Sequence, residues 1–342
     1  MRDVVVAGGG PVGLATALYA AAAGLDVVVR EPRPVPIDKA CGEGLMPGAV
    51  ADLDALGVSP AGHLLAGIRY VDGDCVVEAP FRTGPGRGVR RTTLQDALHR
   101  RVRDVGIHVE PTAVRTVQNR GDHVLVDGEP ARYLLAADGL HSPVRRMLGL
   151  DVPAGGRRRF GLRCHVAQPP WTEYVEVHWS PGAEAYVTPV GQDEIGIAVL
   201  TDRGTRFEDA LAGFPGLRER LTGERSAVLG AGPLRQRARS RVAGRVLLVG
   251  DAGGYVDALT GEGIALGLAQ ARAAVAAVVA GEPARYGAQA RRLGWRHELL
   301  TMALLTATGR PAVRRRVVPA AARLPQVFGA AVNQLASPIG AS

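Results

Sequence analysis

The chain is poor in several residue types that would announce a particular chemistry. Its three cysteines (Cys41, Cys75, Cys164), none in a CxxC pair, argue against a disulfide framework or a thiolate zinc site. The eight histidines show no HxH or HExxH spacing, so no metal site is expected. Aromatics are only 4% of residues, and helix-turn-helix, RNP and zinc-finger patterns are absent. No nucleic-acid partner is therefore expected, despite a net charge of +8. Lysine is nearly missing: Lys39 stands alone among 41 basic residues, a bias that resembles GC-rich coding. On that ground the arginine runs 157–159 and 314–316 read as solvated surface. The most apolar stretch, 264–280, is short and holds Gln270 and Arg272, so no integral membrane segment is expected. The first strand begins almost at Met1 without a signal peptide, which sets cytoplasmic residence as the expectation.

What is present is concentrated at the start. An apolar run from Val4 to Ala7 ends in Gly8-Gly9-Gly10-Pro11-Val12-Gly13, followed by an Ala-rich helix pattern that Gly24 stops. A second apolar run, 27–29, ends near Glu31. Each part has a job: Gly8 turns the chain out of the strand, Gly10 lets a pyrophosphate approach the backbone, and Gly13 lets helix and strand pack closely. The helix N-terminus offers free N–H groups and a positive dipole end. Glu31 falls about 20 residues beyond the glycines, where an acid binds ribose hydroxyls. Strand, glycines, helix, strand and acid in register point to an ADP-containing dinucleotide.

The rest of the chain carries no repeat or low-complexity linker. A helix is expected from Gly48 to Leu56, a hairpin around Asp72-Gly73, and an amphipathic helix over Thr92–Asp104 with Leu94, Leu98 and Val102 on one face. Short strands are expected near Val109, Val114, Val124 and Tyr133. From about 156 to 234 the texture changes to strands rich in Val, Tyr and Trp, with Tyr174, Trp179, Tyr186 and Thr188 as the expected ceiling of a pocket. Arg235, Arg237, Arg239 and Arg241 alternate as one solvated strand face would. These patterns predict a discontinuous nucleotide-binding domain (1–66, 86–150, 235–300), a mostly antiparallel sheet domain (67–85, 151–234) and C-terminal helices (301–342).

Two later segments extend the first: Asp138-Gly139 after a strand, with Ser142-x-x-Arg145 following, and Gly250-Asp251 followed by Thr260-Gly261-Glu262-Gly263-Ile264. With Gly8–Gly13, Glu31 and the helix start Arg91-x-x-Leu94, they resemble the p-hydroxybenzoate-hydroxylase-type FAD-dependent oxidoreductases over roughly residues 1–280. That resemblance implies an α/β fold with a Rossmann-like FAD-binding domain of glutathione-reductase type, and an inserted antiparallel sheet over the flavin. It also implies non-covalent FAD held at Gly8, Gly10, Pro11, Val12, Gly13, Glu31, Arg33, Gly42, Glu43, Gly44, Arg91, Val114, Asp138, Gly250, Asp251, Gly261, Gly263 and Ile264. NADPH or NADH, or a separate flavin reductase, would supply electrons.

Within that superfamily, Lys39–Pro47 and Leu259–Ile264 look most like the geranylgeranyl-reductase branch. The sheet segment Glu184–Pro189 departs from that branch by lacking both tryptophans of the Tyr/Trp-x-Trp pattern. Cys41, Tyr186 and Thr188 are the candidate catalytic residues. The reaction expected first is hydroxylation or epoxidation of an apolar or polycyclic small molecule through a flavin C4a-hydroperoxide. Reduction of a carbon–carbon double bond is the alternative, and a non-redox cyclisation using FAD as scaffold is the third.

Overall fold

The computed structural model describes residues 1–340. In chain order the main elements begin with β1 (Arg2–Ala7), α1 (Pro11–Ala22), β2 (Val27–Arg30) and α2 (Pro47–Ala55). Then come the hairpin β3 (Gly67–Asp72) and β4 (Cys75–Pro80), α3 (Arg91–Asp104), β5 (His108–Glu110) and β6 (Glu129–Ala136). The strands β7 (Arg159–Val166), β8 (Tyr174–Trp179), β9 (Glu184–Pro189) and β10 (Ile195–Asp202) follow, then β11 (Val246–Leu248). Five helices complete the described chain: α4 (Gly263–Val279), α5 (Pro283–Thr308), α6 (Pro311–Arg314), α7 (Val317–Arg323) and α8 (Pro325–Ala336).

The first sheet has a parallel centre in the order β11-β6-β1-β2-β5, with short antiparallel strands added to β6 and β11. A parallel strand covered on both faces has no polar side, which is why Val4–Ala7 and Val27–Val29 read as unbroken apolar runs. Pro11 opens α1, where its missing N–H removes no helical bond. Helices α1, α3 and α4 then bury Leu14, Leu18, Leu94, Leu98 and Leu268 against Val4 and Val6.

The second sheet runs Leu229–Ala231, β7, β10, β9, β8, β3, β4, antiparallel except where β8 pairs in parallel with β3. Its strands come from two stretches of chain, 67–80 and 159–231. Helices α7 and α8 cover the β3–β4 hairpin and bring Val318, Phe328 and Val332 against Tyr70 and Trp179. The fold class is thus α/β, a Rossmann-like parallel sheet joined to a mostly antiparallel one.

Three sequence expectations fail for identifiable reasons. No strand forms at Val114; the residue lies in a loop with its side chain packed among Val5, Val28 and Val126, and the next strand is Val117–Asn119. The Arg235–Arg241 alternation holds strand geometry only over Gln236–Ala238, and Arg241 turns inward to the Gly250 carbonyl and Gln270 Oε1. The arginine runs are not wholly solvated either. Each sends one member inside, because Glu184, itself fully buried, sits between Arg159 and Arg314.

Glu176 on β8 is another buried acid, bonded by Arg69 at 2.9 Å, by the indole N–H of Trp171 at 3.1 Å and to His178 at 3.0 Å. Burial alone would raise its carboxyl, but His178 and Arg69 outweigh it and bring the value down to about 2 from an ordinary 4.5. A depressed acid stabilises the fold fully above its unfolded value and loses that contribution as pH falls through the folded one. Urea midpoints of the native protein should therefore drop between pH 4.5 and about 2. Glu176→Gln should flatten that drop; an unchanged profile would show that Glu176 does not govern acid stability.

Candidate functional site

The C-terminal ends of β1, β2, β6 and β11 open on one side of the parallel sheet, where ligands of such sheets bind. Strand β1 delivers Gly8–Gly10 to the start of α1. Strand β2 delivers Glu31, whose Oε2 accepts the Gly9 N–H at 2.8 Å and whose Oε1 accepts the Arg33 backbone and Nε groups. Burial works against the Glu31 charge, but Arg33 and the two backbone N–H groups keep its carboxyl below the ordinary range. Gln95 of α3 donates to the Gly9 carbonyl at 2.5 Å, pinning the turn from the other side.

The space over this turn fits a dinucleotide. A Cβ on Gly10 would meet nothing nearer than Arg91 Nη2 at 3.7 Å, so the backbone there is open and faces a cation. Lys39 Nζ lies 3.3 Å from the Cβ position of Gly139, and its charge is felt by Asp251 along with that of Arg91. Burial lowers the Lys39 ammonium and raises the Asp251 carboxyl. Arg33, Lys39 and Arg91 thus ring the glycine turn. Asp138 spends Oδ2 on the Val144 N–H at 3.0 Å, while its buried Oδ1 and the buried Arg91 Nε have no partner. An open backbone cradle, surrounding cations and unpartnered buried polar atoms are what a bound diphosphate and its sugar hydroxyls would complete.

The other half of the site is built by β9. Thr188 Oγ1 donates to the Gly42 carbonyl and Tyr186 Oη donates to the Leu259 carbonyl, both at 2.8 Å. One strand therefore holds the Cys41 loop and the 259–264 segment, and Met46 Cε lies 3.7 Å from the Cβ position of Gly261. Cys41 Sγ accepts the Glu43 N–H at 3.4 Å, and burial pushes the thiol up, so it stays protonated at neutral pH. Leu65, Leu259 and Val175 pack in the same apolar cluster as Met46, Tyr186 and Tyr255.

Glu43 differs from expectation. Its carboxylate is consumed within the protein: Oε1 accepts the Arg91 N–H at 2.8 Å and Oε2 meets His165 Nε2 at 2.7 Å. It fixes the Cys41 loop between α3 and β7 from a left-handed backbone (φ 60°) instead of offering a free oxygen to the cleft. Val114 likewise turns its side chain into the core of the parallel sheet, and Ile264, in the first turn of α4, is partly buried against the core. Of the expected ceiling, Trp179 turns toward Tyr70 (5.5 Å between ring centres), and Tyr174 stacks under Arg69.

The sequence reading missed Tyr255 and His165. Tyr255 Oη lies 3.7 Å from the Cβ position of Gly263, at the start of α4, and burial, then Asp251, Asp257 and Cys41, raise its phenol well above the usual value. It sits inside the Gly250–Ile264 segment, where only the glycines, Asp251 and Ile264 drew notice. His165 had no local signal, because its partner Glu43 lies 122 residues away in the chain.

No protein-family profile matches the chain. Among curated proteins it is 35% identical over 306 residues to the menaquinone reductase of Mycobacterium tuberculosis, spanning 80% of this chain and 75% of that one. It is 28% identical to digeranylgeranylglycerophospholipid reductase 1 of Methanothermobacter thermautotrophicus, over 85% of this chain and 80% of the relative. Among solved structures, p-nitrophenol 4-monooxygenase of Pseudomonas putida superposes with a TM-score of 0.81 over 98% of both chains at 18% identity, a likeness of fold.

Proposed function

From the premise that this chain belongs to the p-hydroxybenzoate-hydroxylase-type FAD-dependent oxidoreductases, we propose that it reduces a carbon–carbon double bond of an apolar, isoprenoid-type substrate. The observation that carries this reading is the joint anchoring of the Cys41 loop and the 259–264 segment on β9, through Thr188 and Tyr186. Those are the two segments that look most like the geranylgeranyl-reductase branch, and relatives named as reductases of isoprenoid compounds support it. The hydroxylating reaction expected first has in its support only a likeness of fold.

The glycines from Gly8 to Gly13, with Arg33, Lys39 and Arg91, would hold the FAD diphosphate, and Glu31, Asp138 and Asp251 the sugar hydroxyls. FAD, when bound and reduced, would supply the hydride for one alkene carbon, and a proton must reach the other. NADPH, NADH or a separate flavin reductase would return the electrons. Met46, Leu259 and the neighbouring apolar side chains exclude water from the reacting bond. Tyr255 Oη, beside the start of α4, would be the proton donor, and Thr188 and Tyr186 keep the two loops at a fixed separation.

Holoenzyme reduced with dithionite under strict anoxia and given menaquinone or a geranylgeranyl lipid should yield product heavier by one hydrogen pair. Tyr255→Phe should keep FAD yet lower turnover about 100-fold, the usual loss of a general acid. A product that gains oxygen, and forms only in air, would replace this reading by the monooxygenase. An isomerised product formed without reductant would replace it by the cyclase.

A further inference from the structure

Residues 283–342 hold nine of the 41 basic residues and one of the 33 acidic ones, which leaves thirty-two of each sign in the first 282. The whole net charge of +8 therefore resides in the C-terminal helical region. The same region carries exposed apolar residues. On α5, Arg292, Trp295, Arg296, Leu299, Ala303 and Thr306 recur at helical spacing and share one face. Trp295 and Leu299 are 51% and 59% exposed. The Arg296 guanidinium lies over the Trp295 ring. An open groove of about 440 Å³ continues the stripe between α5 and α6, lined by Leu299, Met302, Ala303 and Val313, with Arg310 at its edge. Among the described residues no carboxylate forms an ion pair with Arg292, Arg296 or Arg310. Among the described residues nothing covers this apolar stripe or neutralises its rim.

We propose that the α5–α6 face docks on an anionic lipid surface. Exposed Trp and Leu flanked by unpaired arginines is the pattern of a helix that lies in the headgroup region, its apolar side chains inserted and its cations at the phosphates. A second copy of the chain is a poor occupant, because pairing two such faces would bring like charges together out of water. No described helix is long and apolar enough to cross a membrane, so the contact is peripheral. It stands independently of the reaction proposed above, since it rests on charge and exposure at residues away from the glycine turn.

The test is co-sedimentation of the holoenzyme with vesicles. Binding is expected to equimolar phosphatidylglycerol and phosphatidylcholine, to be much weaker with phosphatidylcholine alone, and to fall as salt shortens the Debye length below about 10 Å. Each arginine near an anionic surface contributes about fivefold, so replacing Arg292, Arg296 and Arg310 together by alanine should weaken partitioning about 100-fold. Leu299→Glu should abolish it with circular dichroism and FAD content unchanged. Absence of binding at low salt, equal binding to both vesicle types, or binding indifferent to these substitutions would overturn the proposal. So would a lipid-free dimer that Leu299→Glu converts to monomer.

Discussion

Glu184→Ala is expected to cost about 3–5 kcal/mol of stability, because it strands two arginines inside the protein. Glu184 is fully buried and faces Arg159 through one oxygen and Arg314 Nη2 at 2.7 Å through the other. Asp257 at 3.3 Å from Arg159 is the remaining acid of the cluster, and burial raises its carboxyl, so it is a weak substitute. Arg314 also donates to the carbonyls of Ser180 and Ala183, which means the cluster joins α6 to the turn before β9. Loss of Glu184 should therefore loosen the C-terminal helices from the sheet before the parallel sheet melts. Thermal unfolding should split into two transitions, and limited proteolysis should cut first near α6. A single transition shifted by less than about 1 kcal/mol, the range of an exposed ion pair, would show that this cluster behaves as if solvated.

The second large effect separates two glycines three residues apart. A Cβ on Gly13 would lie 1.8 Å from the Gly8 carbonyl oxygen, so Gly13→Ala must push α1 away from β1 and should prevent folding to a soluble protein. A Cβ on Gly10 meets only the end of the Arg91 side chain, at an ordinary 3.7 Å, and Gly10→Val should fold with near-native stability. Its side chain would occupy the cradle over the turn, and overpacking of about 1–3 kcal/mol converts to roughly 5–150-fold weaker FAD binding. The readouts are soluble yield, melting temperature and flavin absorbance after gel filtration. Colourless, folded Gly10→Val protein is the expected result; a fully yellow one would move the diphosphate away from this turn.

Much of the parallel sheet was legible because its signals are local. The run Val4–Ala7, the glycines and Gly24 bound one strand and one helix by periodicity and chain-breaking alone, and Thr92–Asp104 showed its buried face directly. What the sequence hid depends on distant partners. An arginine in a run of three reads as surface until Glu184 is brought beneath it, and Glu43 reads as a free acid until His165 arrives from β7. Tyr255 looked like one more residue of a turn. Its significance comes from the start of α4, which folds back beside it eight residues later.

The parallel pairing of β8 with β3 has a consequence for how the chain must assemble. The hairpin β3–β4 leaves the ribosome early, but the strand that pairs with it follows about a hundred residues on, as the Arg69–Glu176 bond across 107 positions records. Until then the hairpin presents an unpaired edge, and its other cover, α7 and α8, is made last of all. Contacts of such sequence separation close slowly, since loop entropy must be lost before they form. Neither sheet is therefore a unit that can be excised: a chain cut between them leaves the first half carrying an orphan hairpin and the second lacking its edge.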